Sequence, residues 1–478
     1  MKFRFFVSFF ILVGIGSIFL SQIAHSESRN LLFRDSLYAT KNCGLDIQQC
    51  ISFPDRAEIV RERTAFLDTN FIPFIISNSL PADSKTVIQF FSDAQVNVVW
   101  TKKIQLDTER IALYGFVSDD NLNSFVFIVN TSGGYISGDI KDHNNRMYRI
   151  RPTSGSQHFI TELKHSNIRD FHLDPEMIKE GMIFSHESEE NSVEKKELSH
   201  VEPKLKLDDG SVVDILVAYS ALTDMKYIDI KSEIALAVEN MNLTFENSNI
   251  DTKLRLVGLD KVYYDETDPN TCDISTILFA LISGKSGLES VHEKRDEYGA
   301  DLVSFFIDST CTEGIAGVAF SYFLEESLAF NVLVAKWANY PDVGAFTHET
   351  GHLFGAGHDR EAPGSSGAHF DYSFGYLPPD KSFRTAMAYG SSCDWSCPLL
   401  KYFSNPDLQY QGQALGIPEG LIDPHGNNIA ADNSRTLQET RILVSNYRRT
   451  NQNDSYDTGW SISDIIYDFR NWSLFRKP

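Results

Sequence analysis

Positive charge is scarce in this chain: 43 lysines and arginines stand against 65 aspartates and glutamates, a formal net charge of −22. A surface so acidic repels phosphate backbones and anionic lipid, which argues against nucleic acid as a partner and for a soluble, dispersed protein. Long apolar runs are as few. One occupies residues 5–20, "FFVSFFILVGIGSIFL", and no second run is long enough to cross a bilayer. Cysteine is sparse, six in 478 residues. Cys43 and Cys50 lie near the start, and Cys272, Cys311, Cys393 and Cys397 lie in the later half. The split of two and four predicts disulfides that stay within each half, and the later four allow three connectivities. The expected pairing is Cys272–Cys311 with Cys393–Cys397. Calcium is compatible with so acidic a chain, but no ligand loop for it stands out.

What is present begins with a targeting segment. Lys2 and Arg4 precede the apolar run, and "AHS" at 24–26 offers small residues for cleavage. Residues 1–26 therefore read as a secretory signal, with an uncleaved anchor as the alternative. Secretion, outside the cell or into a periplasm, agrees with cysteines that oxidise. Residues 27–184 carry short alternating or β-branched runs such as "VNVVW", "IALYGFV" and "SFVFIV" between turn clusters, the pattern of an antiparallel β domain. This region holds no catalytic constellation. Residues 185–206, "SHESEENSVEKKELSHVEPKLK", are charged and without apolar periodicity, an exposed linker of the kind proteases cut. A β domain, a cuttable linker and a second globular half suggest a propeptide arrangement. The bland alternative is two permanent domains on a tether.

Residues 207–449 alternate element types. Strands are expected at 212–220, 252–265, 301–307, 314–320 and 330–336, and helices at 231–248 and 274–298. A last helix fits 433–449, capped by Asn433 or Ser434. The order indicates an α/β (α+β) domain with a mixed, mostly parallel sheet. The tail, 450–478, is aromatic and unassigned.

The stretch "HETGHLFGAGHD", residues 348–359, carries the chemistry. On a helix His348 and His352 project from one face, one turn apart, where two imidazoles can bind one zinc ion. Glu349 sits beside them, placed to take a proton from water without being a ligand. Gly355 explains the six-residue interval that follows: a left-handed glycine ends the helix and turns His358 back toward the same metal. Three neutral nitrogens leave a coordination position for water, the open site of a catalytic zinc. Five residue types fixed at this spacing make the pattern far more specific than a bare HExxH.

HETGHLFGAGHD resembles the zinc signature of the metzincin metallopeptidases. That family also holds a methionine in a tight turn beneath the metal, which Met387 in "RTAMAYG" matches. "VDILVAYS", "YGADLVSFFI", "YFSNPD" and "ADNSRTLQETR" are similar to secreted bacterial reprolysin-like peptidases, the group that includes peptidyl-Asp metalloendopeptidases. The resemblance spans about residues 207–449 and extends more weakly to the β region. It implies a metzincin-like catalytic domain with an active-site helix behind a β-rich propeptide domain, and one catalytic zinc ion. Tyr389, two residues after Met387, has the spacing of a tyrosine that ligates zinc or stabilises the transition state in some branches. A tyrosine packed in the pocket wall is the alternative.

The expected function is a secreted, propeptide-bearing zinc endopeptidase, probed against the rival of an inactive metzincin scaffold that binds or adheres. Substrates are expected to lie extended along the edge strand 314–320, as in relatives, with 388–400 shaping the pocket for the side chain after the cut. The propeptide is the expected intramolecular inhibitor, and the mature protein a monomer. Latency has three candidates: Cys43 as a zinc ligand, pairing of Cys43 with Cys50 leaving the task elsewhere, or Asp139 acting as an aspartate does in astacin propeptides. No basic residue is assignable to the specificity pocket from sequence.

Overall fold

The computed structural model describes residues 32–35, 58–77, 85–118, 120–154, 156–166, 168, 208–308, 312, 314–320, 324–362 and 368–449. The signal at 1–26, the linker at 185–206, the tail at 450–478 and Cys43, Cys50 and Cys311 lie outside these residues.

The first unit is one nine-stranded sheet. Its strands are β1 (Phe33–Asp35), β2 (Ile59–Leu67), β3 (Lys85–Phe91), β4 (Ala94–Gln105), β5 (Arg110–Val117), β6 (Asp120–Asn130), β7 (Tyr135–Lys141), β8 (Met147–Ser154) and β9 (Gln157–Leu163). The order is β1-β2-β9-β8-β7-β6-β5-β4-β3, and the pairings are antiparallel. Seven consecutive strands thus form a meander joined by short turns, which local sequence can specify. Successive side chains on a strand face opposite ways. Ile111, Leu113, Phe125 and Phe127 accordingly enter a core with Phe90, Trp100 and Tyr148. Ala112, Tyr114, Val126 and Ile128 face away and pack on Ala235, Leu236 and Leu243. Both faces are covered here, which is why "SFVFIV" reads as an unbroken apolar run.

Those last three residues belong to α1 (Ile230–Asn247), in the second unit. Its five-stranded sheet comprises β10 (Val213–Ser220), β11 (Leu254–Val262), β12 (Leu302–Ile307), β13 (Gly317–Ala319) and β14 (Phe330–Val334), in the order β11-β10-β12-β14-β13. Three pairings are parallel and the last, β13 with β14, is antiparallel. All eight residues of β10 are buried. Val213, Ile215 and Val217 face a core shared with α1, α4 (Ala345–Leu353) and α5 (Asn433–Val444). Leu216 and Ala218 face α2 (Ile274–Ser283) and α3 (Glu289–Tyr298) on the other side. Helices on both faces of a largely parallel sheet are the arrangement that such continuous apolar strands require.

Two expectations need correction. The helical stretch 274–298 is two helices, because Gly284 adopts φ +56° and ends the first. The cap of the last helix is Asp432, one residue before Asn433, and its carboxylate accepts from the Arg435 N–H at 3.0 Å. The Asn433 side chain is used elsewhere.

The two units meet through polar contacts as well as apolar ones. Arg151 of β8 reaches Glu233 of α1 at 2.5 Å, and the Tyr114 hydroxyl donates to Glu239. Asp139 of β7 lies buried between Arg149 and Arg151, each at 2.9 Å, and the guanidiniums hold its carboxyl below the usual range. It is not among the residues that converge with the three histidines, so the structure does not bring it to the role of a latency ligand.

Candidate metal centre and active site

Helix α4 begins after Gly344, at φ +57°, and presents His348 and His352 from one face. It ends at Leu353, and Gly355 at φ +88° turns the chain into a short strand, β15 (Gly357–Asp359), that pairs in parallel with β16 (Phe374–Gly375). The Asn433 side chain clamps this strand, accepting from the Gly357 N–H at 3.2 Å and donating to the Gly357 carbonyl at 2.9 Å. His358 is thereby brought back to the helix. Its Nε2 lies 3.0 Å from Nε2 of His348 and 2.9 Å from Nε2 of His352.

The fit to a metal follows from the protons. His348 Nδ1 faces the Ala386 carbonyl at 3.1 Å, and His352 Nδ1 faces the Ala356 carbonyl at 2.8 Å. A ring nitrogen against a carbonyl carries the hydrogen, so the Nε2 atoms of both rings present lone pairs. One proton on His358 Nε2 can satisfy only one of them. A cation satisfies all three, and at a Zn–N distance of about 2.0–2.1 Å the nitrogens need to part by only a few tenths of an ångström. Among the described residues this is the group of donors suited to a metal ion.

Glu349 is nearly buried, and burial pushes its carboxyl up to about 8. A divalent cation beside it acts in the opposite direction. Gly317 of the edge strand β13 lies against it: a Cβ there would stand 2.6 Å from Glu349 Cγ and 2.9 Å from Oε1. Met387 is fully buried beneath α4, and a Cβ on Gly351 would stand 2.7 Å from its sulfur. The Tyr389 ring centroid is 4.2 Å from that of His358 and 5.7 Å from that of His348.

Residues 210–404 match Reprolysin_5, metallo-peptidase family M12. The chain is 28% identical over 370 residues to the peptidyl-Asp metalloendopeptidase of Stenotrophomonas maltophilia (strain K279a), covering 73% of this chain and 77% of that protein. It is 26% identical over 336 residues to the enzyme of that name from Xanthomonas campestris pv. campestris, covering 69% and 71%. A solved structure, metalloproteinase-II from Bacteroides fragilis, aligns at a TM-score of 0.36 and 10% identity over 59% of this chain and 84% of that one, a likeness too slight to bear on the reading. The chain carries an M12 metallo-peptidase domain. By that domain and those relatives it is a zinc metalloendopeptidase.

The M12 domain also holds site residues that sequence reading missed. Asp359, directly after His358, is buried, and its two oxygens accept from the Tyr389 N–H at 2.8 Å and the Ser392 hydroxyl at 3.0 Å. It ties the third histidine to the turn that follows Met387. Its place beside His358 was visible in the motif, but Tyr389 and Ser392 lie 30 and more residues on. Gly317 carries no signal of its own in sequence, since its need to be small arises only from Glu349 across the cleft. Cys393 and Cys397 form a disulfide, as expected. Cys272 is also disulfide-bonded.

Proposed function

We propose that this metalloendopeptidase is made as a secreted precursor and hydrolyses peptide bonds next to aspartate, with one zinc ion held by His348, His352 and His358. The single observation that carries the reading is the convergence of three Nε2 atoms beside the carboxylate of Glu349, which Gly317 allows to lie against the edge strand. The acidic preference rests on the name that the relatives carry, peptidyl-Asp metalloendopeptidase. What the ion supplies when bound is an acidified water, of pKa about 7, and a Lewis acid for the substrate carbonyl.

The chain's own residues do the rest. Ala386 and Ala356 carbonyls fix the histidine tautomers so that neutral Nε2 atoms face the centre. Glu349 accepts the proton of the attacking water at its carboxylate and returns it to the leaving amine. Met387 supports the helix floor between the first two histidines, and the Tyr389 ring covers His358 from the turn beyond it. In this reading Tyr389 lends a hydrogen bond to the developing oxyanion. β13 ends its sheet, so an extended substrate can add along its outer edge by main-chain bonds. The β-rich unit, 27–184, is the propeptide, and the linker 185–206 is where it is cut. Its grip on α1 through Arg151 and Glu233 supports an intramolecular role. No helix among the described residues is long and apolar enough to span a membrane.

The test is cleavage of an unfolded protein substrate read by mass spectrometry, with the full chain nicked within 185–206. Glu349→Ala at equal, verified zinc content is expected to lose at least about a hundredfold in rate. Equal cleavage by both proteins, or none by the wild type with zinc bound, overturns the reading.

A further inference from the structure

Where β7 meets the M12 domain, a cavity runs to the start of α4. Thr347, Ala386, Leu399, Lys401, Asn240 and Lys141 are among its lining. Two of these join it to the metal centre. Thr347 immediately precedes His348, and the Ala386 carbonyl accepts the His348 Nδ1 proton. The wall opposite is the segment that follows the Cys393–Cys397 disulfide, held along the Met387 turn by bonds from Arg384 N–H to the Pro398 carbonyl, Leu400 N–H to the Arg384 carbonyl, and Ala386 N–H to the Tyr402 carbonyl.

The cavity holds two amines, neither of which donates a hydrogen bond to a carboxylate. Lys401 Nζ donates to the Asn240 side-chain oxygen at 2.8 Å, and Lys141 Nζ donates to the Leu399 carbonyl at 2.9 Å. Both acceptors are neutral. Asp139 and Asp142 line the same space, but Arg149 and Arg151 share the carboxylate of the first and Arg146 pairs with that of the second. Burial brings the Lys401 ammonium down to about 8 and that of Lys141 to about 7. A carboxylate arriving beside them therefore restores the charged form and gains a charge-assisted hydrogen bond in a buried site. Lys141 comes from the unit expected to be removed, whereas Lys401 stays with the M12 domain.

We propose that Lys401 is the specificity residue of this enzyme, the cation that receives the acidic side chain of the substrate residue following the scissile bond. The proposal rests on the endopeptidase reading above and deepens it. The substrate class is an acidic peptide. Lys401 acts on binding and alignment of the side chain and takes no part in proton transfer at the scissile bond.

The experiment compares two peptides that differ only in aspartate or asparagine after the scissile bond. The full chain, nicked within 185–206, is assayed as wild type, Lys401→Gln and Lys401→Arg. Lys401→Gln is expected to lower kcat/KM on the aspartate peptide by roughly 30-fold or more while the asparagine peptide changes little. Lys401→Arg retains most of the preference. Equal losses on both peptides would mean that Lys401 only props the wall, and an undiminished aspartate preference would mean that another group reads it. Either overturns the proposal, as does wild-type cleavage without preference for aspartate. A wild type that binds zinc and cleaves neither peptide nor unfolded protein overturns the endopeptidase reading, and this one with it.

Discussion

At the scale of the residue, the site depends on what is absent as much as on what is present. Gly317 is the clearest case, because the space a methyl group would need is taken by the Glu349 carboxylate and its stem. Gly317→Ala is expected to push Glu349 out of line. A misplacement of about 1 Å at a catalytic group costs on the order of a hundredfold in rate. Zinc content and thermal midpoint should stay near those of the wild type, since β13 is a short edge strand that keeps its backbone pairing. Steady-state kinetics on a peptide, beside metal analysis of the same sample, checks this. Loss of zinc in step with activity would instead place Gly317 in the support of the ligands. Asp359 and Lys401 belong with Gly317 as residues whose roles were not legible in sequence. The motif was legible because His348, Glu349, His352, Gly355 and His358 answer to one helix and one turn. The other three act on groups brought near only by folding; Lys401 and its partner Asn240 are 161 residues apart.

At the scale of the element, periodicity spoke for existence more than for boundaries. The apolar spacing of 231–248 and the unbroken run at 212–220 correspond to α1 and β10 within a residue or two. The stretch 274–298 keeps a helical pattern through Gly284, so the break was not seen. At the last helix, Asp432, Asn433 and Ser434 all suit a cap, and contact with Gly357 decides which is spared for it. The β unit shows an element-level consequence of burial. His158 of β9 is fully buried, its Nδ1 against the Ser156 carbonyl and its Nε2 accepting from the Ile136 N–H of β7. Only the neutral ring fits that pair of partners, and burial lowers its pKa to about 4. A depressed histidine contributes stability that is full above the unfolded value near 6.5 and lost as pH falls through 4. The loss over that window approaches about 3 kcal/mol. Urea midpoints measured from pH 7 to 4 should fall in the wild type, and His158→Gln should flatten that slope. An unchanged slope in the variant would show that other groups govern the acid sensitivity.

At the scale of the whole molecule, two sheets of different logic share one helix. The N-terminal meander packs its second face on α1, and the mostly parallel sheet of the M12 domain packs on the same helix from the other side. Sequence reading separated these units because their residue patterns differ, alternating short runs in the first and buried runs between helices in the second. It had no means of finding their interface, whose ion pairs join β8 and β4 to α1 and whose cavity borders the histidine helix. That interface sets the N-terminal sheet against the segment that follows the Cys393–Cys397 disulfide, with Lys141 bonded to the Leu399 carbonyl. The metal centre itself lies wholly within residues 348–358 of the M12 domain. The most direct measurement is therefore a zinc titration of the metal-free full chain, followed by calorimetry, beside His358→Ala. One ion per chain for the wild type, with affinity reduced at least about a hundredfold in the variant, is the expected result. Absent binding, or binding that His358→Ala leaves unchanged, would contradict the three-histidine zinc site.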